Sequence, residues 1–312
     1  MSNFAITFPG QGSQSLGMLS ELAKQSNLVK ETFDEASEVV KLDLWGICQS
    51  GSKESLNDTL NTQPIMLTAG VTIWRLWVQS GGASPDLMAG HSLGEYSALV
   101  ASGAIKFEDA LQLVLFRGKF MQKAVLPGEG AMAAILGLDD QKVEEICGKA
   151  SEGQVVESVN YNSPGQIVIA GNVDAINRAV DLAKEAGARK SIFLDVSVPS
   201  HCSLMVEASD NLYKKLQEFT FFKPKINVLH NVNSESTEDQ EQIKILLKNQ
   251  LCSPVRWSDT IKKMSARGIT IVLEFGPGKV LSGLCKRIDK SLLAISVNDD
   301  ESLSKALEST NV

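Results

Sequence analysis

The sequence predicts an α/β protein whose large part is built on a mostly parallel sheet, with a smaller unit inserted into it. Three observations predict it. Short apolar strand runs alternate with helical periodicity toward both ends of the chain. The stretch from about residue 131 to 196 orders its elements strand, helix, strand, strand, helix, strand, the ferredoxin-like motif. Finally, 312 residues with 43% hydrophobic content can bury one sizeable core and a smaller one beside it.

Phe4 to Phe8 is a β-rich run that breaks at Pro9-Gly10 into the Gly- and Ser-rich loop Gly10 to Gln14. Pro64 to Val78 is a dense apolar helix signal, stopped by Gly81-Gly82 and followed by a short strand, Asp86 to Gly90. Helices are expected over Leu93 to Ala101 and Phe107 to Ala124. In the small unit the strands are Ala131 to Gly137, Val155 to Asn160, Gln166 to Ala170 and Lys190 to Val196, with helices Asp140 to Ala150 and Val173 to Gly187. Beyond Pro199 helix and strand alternate again, including the strand Ile269 to Phe275 and the turn Gly276-Pro277-Gly278. The expected division is 1–124 with 198–312 as the large catalytic unit and 125–197 as the small one.

Net charge of -7 and a pI near 5.2 argue against wholesale nucleic-acid binding, which wants a basic surface. No apolar run approaches a membrane span, and Met1 to Phe8 shows no export signal, so a cytoplasmic protein without membrane partners is expected. Five cysteines without CxxC spacing read as buried thiols of a reducing compartment. With three histidines and no His/Cys cluster, no metal site is expected.

Gly90-His91-Ser92-Leu93-Gly94 fits the G-x-S-x-G nucleophile elbow and falls between a predicted strand and a predicted helix, where that motif must sit. The glycines allow a sharp bend, which holds Ser92 outward at a helix start, where amide groups favour developing negative charge. The bland alternative is a serine capping a helix.

A serine hydroxyl needs a base within hydrogen-bond reach. His91, on the bend itself, should point elsewhere; His230 sits in the strand-like run Ile226 to Val232, as a core or edge histidine would. His201 lies in the loop Val198-Pro199-Ser200-His201-Cys202 at a strand end, where sites are assembled, and is favoured.

At 100° per residue Arg117 shares a helix face with Ala110, Val114 and Met121, opposite Gln112, Lys119 and Lys123. An inward guanidinium needs an anion, and its planar fork suits a carboxylate. That carboxylate is either a substrate's or an acidic side chain of the protein. Gly276-Pro277-Gly278-Lys279-Val280 lacks the spacing and the Ser or Thr of a phosphate loop, and reads as a turn lining the cleft.

Taken in order, several motifs resemble the malonyl-coenzyme A to acyl-carrier-protein transacylases of bacterial fatty-acid synthesis. They are Phe8-Pro9-Gly10-Gln11-Gly12-Ser13-Gln14, the helix start Thr62-Gln63-Pro64, Gly90 to Glu95, and Arg117. Further marks are Asn160 to Gln166, Val198 to His201, Pro254-Val255-Arg256-Trp257 and Glu274 to Gly278. The resemblance covers essentially the whole chain. It implies an α/β-hydrolase-like large unit carrying the ferredoxin-like insertion, Ser92 acylated with His201 as base, and Arg117 on the malonyl carboxylate. It also implies an oxyanion hole of the Gln11 and Leu93 amides, a Gln250 carbonyl orienting the imidazole, and Asn160 and Asn162 lining the cleft. Substrates stand in place of a cofactor: malonyl-CoA is the donor, acyl carrier protein with its phosphopantetheine thiol the acceptor, and the chain is expected to act as a monomer.

In related acyltransferase domains of polyketide synthases, Phe before the histidine accompanies malonyl choice and Ser methylmalonyl; here it is Ser200, as in stand-alone members that use malonyl. Arg189, Lys190, Lys286 and Arg287 are candidates for meeting an acidic carrier. Alternative functions are a stand-alone acyltransferase of a polyketide pathway, a serine thioesterase or esterase with water as acceptor, and a non-catalytic docking module.

Overall fold

Strands β1 (Phe4–Phe8), β2 (Leu87–Gly90), β7 (Asn227–Leu229), β8 (Ile271–Phe275) and β9 (Leu293–Val297) form one wholly parallel sheet in the order β7-β2-β1-β8-β9. They belong to a computed structural model that describes residues 3–196 and 198–310. Every residue of β1, β2 and β8 is buried, as expected of strands covered by helices on both faces. The main core packs the helix Thr59–Gln79 against this sheet, with Phe8 edge-on to Phe275 at 6.1 Å and Trp77 at 5.6 Å from Phe275.

The second sheet, β3 (Gly130–Leu136), β4 (Val156–Ser163), β5 (Gln166–Asn172) and β6 (Lys190–Phe193), is antiparallel in the order β4-β5-β3-β6, the ferredoxin-like order. Alternation along β3 divides its work. Ala133 and Ile135 face the helices Asp140–Ala150 and Val173–Glu185; Met132 and Ala134 face the other way, into a cluster with Val168, Ala170 and Cys202. Tyr161 N–H donates to the Val255 carbonyl at 3.0 Å and Val255 N–H to the Val159 carbonyl at 2.9 Å, so β4 ties the small sheet to the Pro254-Val255 segment.

Two expectations are corrected. The helix expected from Pro64 starts at Thr59, with the Asp58 side chain accepting from Leu60 N–H; Pro64 lies inside it, past the first turn, and leaves one ladder donor missing. The last small-unit strand, expected to reach Val196, ends at Phe193, and its continuation runs past the site as irregular chain. Ser197, at the expected boundary of the small unit, lies outside the described residues.

The parallel sheet places the loops that matter. Phe8 and Gly90 are register partners, and His91 N–H donates to the Phe8 carbonyl at 2.9 Å, so the loops after β1 and β2 leave the same sheet edge side by side. A Cβ on Gly94 would lie 2.0 Å from the Phe8 oxygen, and one on Gly90 1.8 Å from the Gly94 carbonyl carbon. Backbone, unlike a flexible side chain, cannot swing aside. Gly94→Ala is therefore expected to lower stability by roughly 1–3 kcal/mol in urea unfolding. Gly148→Ala, on a helix with open space around the added carbon, is expected to raise it by about 0.4–1 kcal/mol; an unchanged Gly94→Ala midpoint would refute the packing argument.

Candidate active site

Ser92 sits at the bend between β2 and the helix Gly94–Ala101 with φ 51°, a left-handed conformation disfavoured for a side-chain-bearing residue. The surroundings hold it there. Asn231 accepts from Ser92 N–H at 2.6 Å and donates to the Gly90 carbonyl at 2.6 Å, and Gln250 Nε2 donates to the Ser92 carbonyl at 2.9 Å. Both sides of the bend are thus pinned by amide side chains.

Ser92 Oγ is 2.8 Å from His201 Nε2, and the opposite ring nitrogen, Nδ1, is 2.6 Å from the Gln250 carbonyl. That carbonyl can only accept, so Nδ1 carries the proton and Nε2 is left as an acceptor for the hydroxyl. His201 is buried, with φ 69°, and its N–H donates to the Leu251 carbonyl at 2.9 Å. Burial, and then the Arg117 cation, push its pKa down to about 3, against the raising effect of the Gln250 carbonyl.

Arg117 is 2% exposed, on the buried face with Ala110, Val114 and Met121. Among the described residues no carboxylate lies within ion-pair distance of it. Its partners are neutral: Nη1 donates to Gln63 Oε1 at 2.9 Å, and Nη2 to Ser92 Oγ and Gln250 Oε1, both at 3.1 Å. Nε is buried and without a partner among the described residues, and the guanidinium carbon stands 5.9 Å from the Tyr96 ring centre. Of the two anions left open by the sequence, the direct protein acid is absent.

Gln11 and Leu93 line the same cavity as Ser92, His201 and Arg117, and among the described residues neither main-chain N–H has a hydrogen-bond partner. Asn160 also lines it. Asn162 does not: its Oδ1 takes a 2.8 Å bond from His91 Nε2, whose ring lies 5.5 Å from that of Trp257. His91 is held there, its pKa lowered by burial. His230, directly after β7, is fully buried, with Nδ1 2.7 Å from Glu95 Oε1. The Gly276 turn, expected in the cleft, packs on Pro9 instead, and Glu274 caps the following helix by accepting from Leu281 and Ser282 N–H at 2.9 and 2.8 Å. Arg189, Lys190, Lys286 and Arg287 are all exposed, and Arg287 donates to Gln166 of β5.

Sequence reasoning missed Asn231, and quoted Gln63 and Glu95 only as parts of motifs. For Gln63 there was a signal: a helix apolar all round leaves a polar side chain buried, and such a group needs a partner.

The cavity measures about 100 Å³ and is walled on its apolar side by Met121, Met132, Leu194, Val196 and Val198. A hydroxyl bonded to a neutral imidazole, two unpartnered amides and a cation with spare donors can together attack a carbonyl, hold an oxyanion and accept a carboxylate. Among the described residues no cluster of three or more His, Cys, Asp or Glu could hold a metal.

Residues 6–299 match the acyl transferase domain family. Malonyl CoA-acyl carrier protein transacylase of Salmonella typhimurium (strain LT2) is 51% identical over 98% of this chain and 99% of its own. The crystal structure of an acyl carrier protein S-malonyltransferase from Vibrio cholerae superposes with a TM-score of 0.95 at 54% identity, covering 97% of this chain and 99% of that one. A malonyl-transacylase in complex with its holo type II polyketide-synthase acyl-carrier protein matches with a TM-score of 0.98 at 50% identity, over 99% of this chain and 100% of that one.

His201 should stay neutral to pH 5 when followed by NMR of a 13C-labelled imidazole, with its midpoint rising in Arg117→Met, which removes a lowering charge. The sign for stability follows: below the ordinary histidine value of 6.5 the unfolded chain binds a proton that the folded one refuses, so this group's contribution falls as pH drops from there. A midpoint near 6.5 in the unsubstituted protein would contradict the burial argument.

Proposed function

We propose, from the premise that the chain belongs to the acyl transferase domain family, that it moves a malonyl group from malonyl-CoA to the phosphopantetheine thiol of an acyl carrier protein. The cycle is ping-pong through a malonyl-Ser92 intermediate, in fatty-acid synthesis; a type II polyketide carrier, as in the complexed relative, presents the same thiol. What carries the reading is Arg117, a buried cation without a carboxylate partner that donates to the same Ser92 hydroxyl as the neutral His201 accepts from.

In this cycle His201 Nε2 takes the Ser92 proton as Oγ attacks the thioester carbonyl. The oxyanion is held by the Gln11 and Leu93 amides, and coenzyme A leaves as its sulfur receives the proton from His201. The carrier thiol then gives its proton to His201, attacks the acyl carbon, and Ser92 recovers a proton as it leaves. Throughout, the Gln250 carbonyl keeps Nδ1 protonated and the ring in place. Arg117 grips the malonyl carboxylate with charge-assisted bonds. Asn160 contributes to the cavity wall, and Asn162 acts behind it by fixing His91.

Residues 125–197 form the small unit, an assignment supported by the separate apolar core beneath its sheet. Among the described residues no helix is long and apolar enough to cross a membrane, and all five cysteines are unpaired. In this reading the enzyme works as a monomer in the cytoplasm, with Arg189, Lys190, Lys286 and Arg287 facing an acidic carrier.

Intact-mass analysis after mixing with malonyl-CoA should find one malonyl group on the chain, on the peptide holding Ser92 and absent in Ser92→Ala. The adduct should persist until a thiol acceptor is added; rapid loss in its absence would favour a hydrolase. Arg117→Ala is expected to lower kcat/KM for malonyl transfer by about a hundredfold, as for a lost bond to a charged group of about 1.5–3 kcal/mol, with a much smaller loss for acetyl transfer. Equal losses would reject the carboxylate role.

A further inference from the structure

Glu95 is fully buried in the first turn of the helix that follows Ser92, yet the chemistry above does not use it. Its carboxylate gathers three donors: His230 Nδ1 at 2.7 Å on Oε1, and the Asn231 main-chain N–H at 3.1 Å and Gln250 Nε2 at 2.9 Å on Oε2. Two of those residues are the ones that pin the Ser92 bend. The third link is electrostatic. Gln250 donates to Glu95 through Nε2 while accepting from Arg117 through Oε1 at 3.1 Å, so one amide joins two buried opposite charges that do not touch.

A buried cation without a counter-charge is strongly unfavourable. A carboxylate in direct contact, however, would occupy the guanidinium fork and leave nothing for a substrate anion. An intervening amide resolves the conflict, because its dipole passes the attraction while the fork keeps only neutral acceptors, which an incoming carboxylate can displace. Burial lowers the Arg117 pKa, and Tyr96 and then the Glu95 charge act against it, favouring the protonated form. His230 then has a function: its Nδ1–H occupies the carboxylate oxygen that Gln250 and Asn231 leave over.

We infer that Glu95 is a positioning residue and the counter-charge of Arg117, acting through the Gln250 side-chain amide to keep an unpaired guanidinium available for the acyl carboxylate. This rests on the proposed malonyl transfer for the identity of that carboxylate, though not for the charge pairing itself.

The test has two arms. Thermal unfolding is measured for the full chain, for Glu95→Gln, for Arg117→Met and for the double variant. Glu95→Gln should unfold several degrees lower, and the double variant, with both buried charges removed, should unfold above Glu95→Gln. A double variant no more stable than Glu95→Gln overturns the inference. If Glu95→Gln does not fold, a folded double variant supports the pairing and an unfolded one overturns it.

In the second arm, calorimetry in a Ser92→Ala background reads binding of malonyl-CoA and acetyl-CoA without turnover. With its counter-charge gone, Arg117 should gain more from an incoming carboxylate. Glu95→Gln is therefore expected to tighten malonyl-CoA at least threefold while leaving acetyl-CoA within twofold. A purely structural residue would weaken or spare both alike, and that result overturns the inference. Should the Ser92→Ala protein bind neither thioester, the malonyl reading fails, and the unfolding arm still judges the charge pair.

Discussion

Burying a guanidinium among neutral partners is the constraint on which the site depends. Arg117 is 2% exposed, and its bonds go to Gln63, Gln250 and Ser92, none of which carries charge. Neutral acceptors satisfy donors without cancelling the cation, so its field remains. That field helps depress His201, which stays neutral and able to accept a proton, and it favours any anion that enters. Replacing either glutamine by glutamate would pair the cation and remove both consequences.

The second requirement is backbone proximity. The proposed oxyanion donors come from two loops, and the loops after β1 and β2 can meet only if nothing projects between them. Gly10 illustrates the point: a Cβ there would stand 2.5 Å from the His91 carbonyl oxygen and 3.7 Å from Leu93 N. The glycines at 10, 90 and 94 therefore bring Gln11 and Leu93 to one cavity, and the small sheet roofs that cavity with Met132. Function and fold share these positions, which is why the motif is dense in glycine.

Much of this was legible in the sequence because it is local. The helix Phe107–Ala124 and the inward face of Arg117 follow from periodicity, and the elbow follows from its glycines between strand and helix. The antiparallel unit is legible from element order. Partners distant in the chain were not legible from pattern. Gln63 lies 54 residues from Arg117, and Gln250 155 from Glu95; no spacing rule connects them. The Gly276 turn was misplaced for the same reason, since its contact with Pro9 is made across the sheet and only the topology brings the two together. Proline favours the first turn of a helix, so the pattern puts the start near Pro64, whereas the Asp58 cap supplies the physical start.

That a main-chain carbonyl stands behind His201 also bears on the choice of acceptor. A main-chain carbonyl at 2.6 Å orients the ring but stabilises an imidazolium less than a buried acid would, and the neighbouring cation weakens the base further. In the first half-reaction of the proposed cycle Ser92 is helped, because Arg117 Nη2 donates to the oxygen that must lose its proton. In the second half-reaction of the proposed cycle that cation is engaged with the acyl carboxylate, and the acceptor gives up its proton to the weak base alone. A thiol of pKa near 8.5 can do so; water, with a pKa near 15.7, is poorer by about seven powers of ten in acidity. A base kept weak by its surroundings thus discriminates between acceptors by their acidity, which adds chemical selection to whatever the apolar wall of the cavity achieves by excluding water.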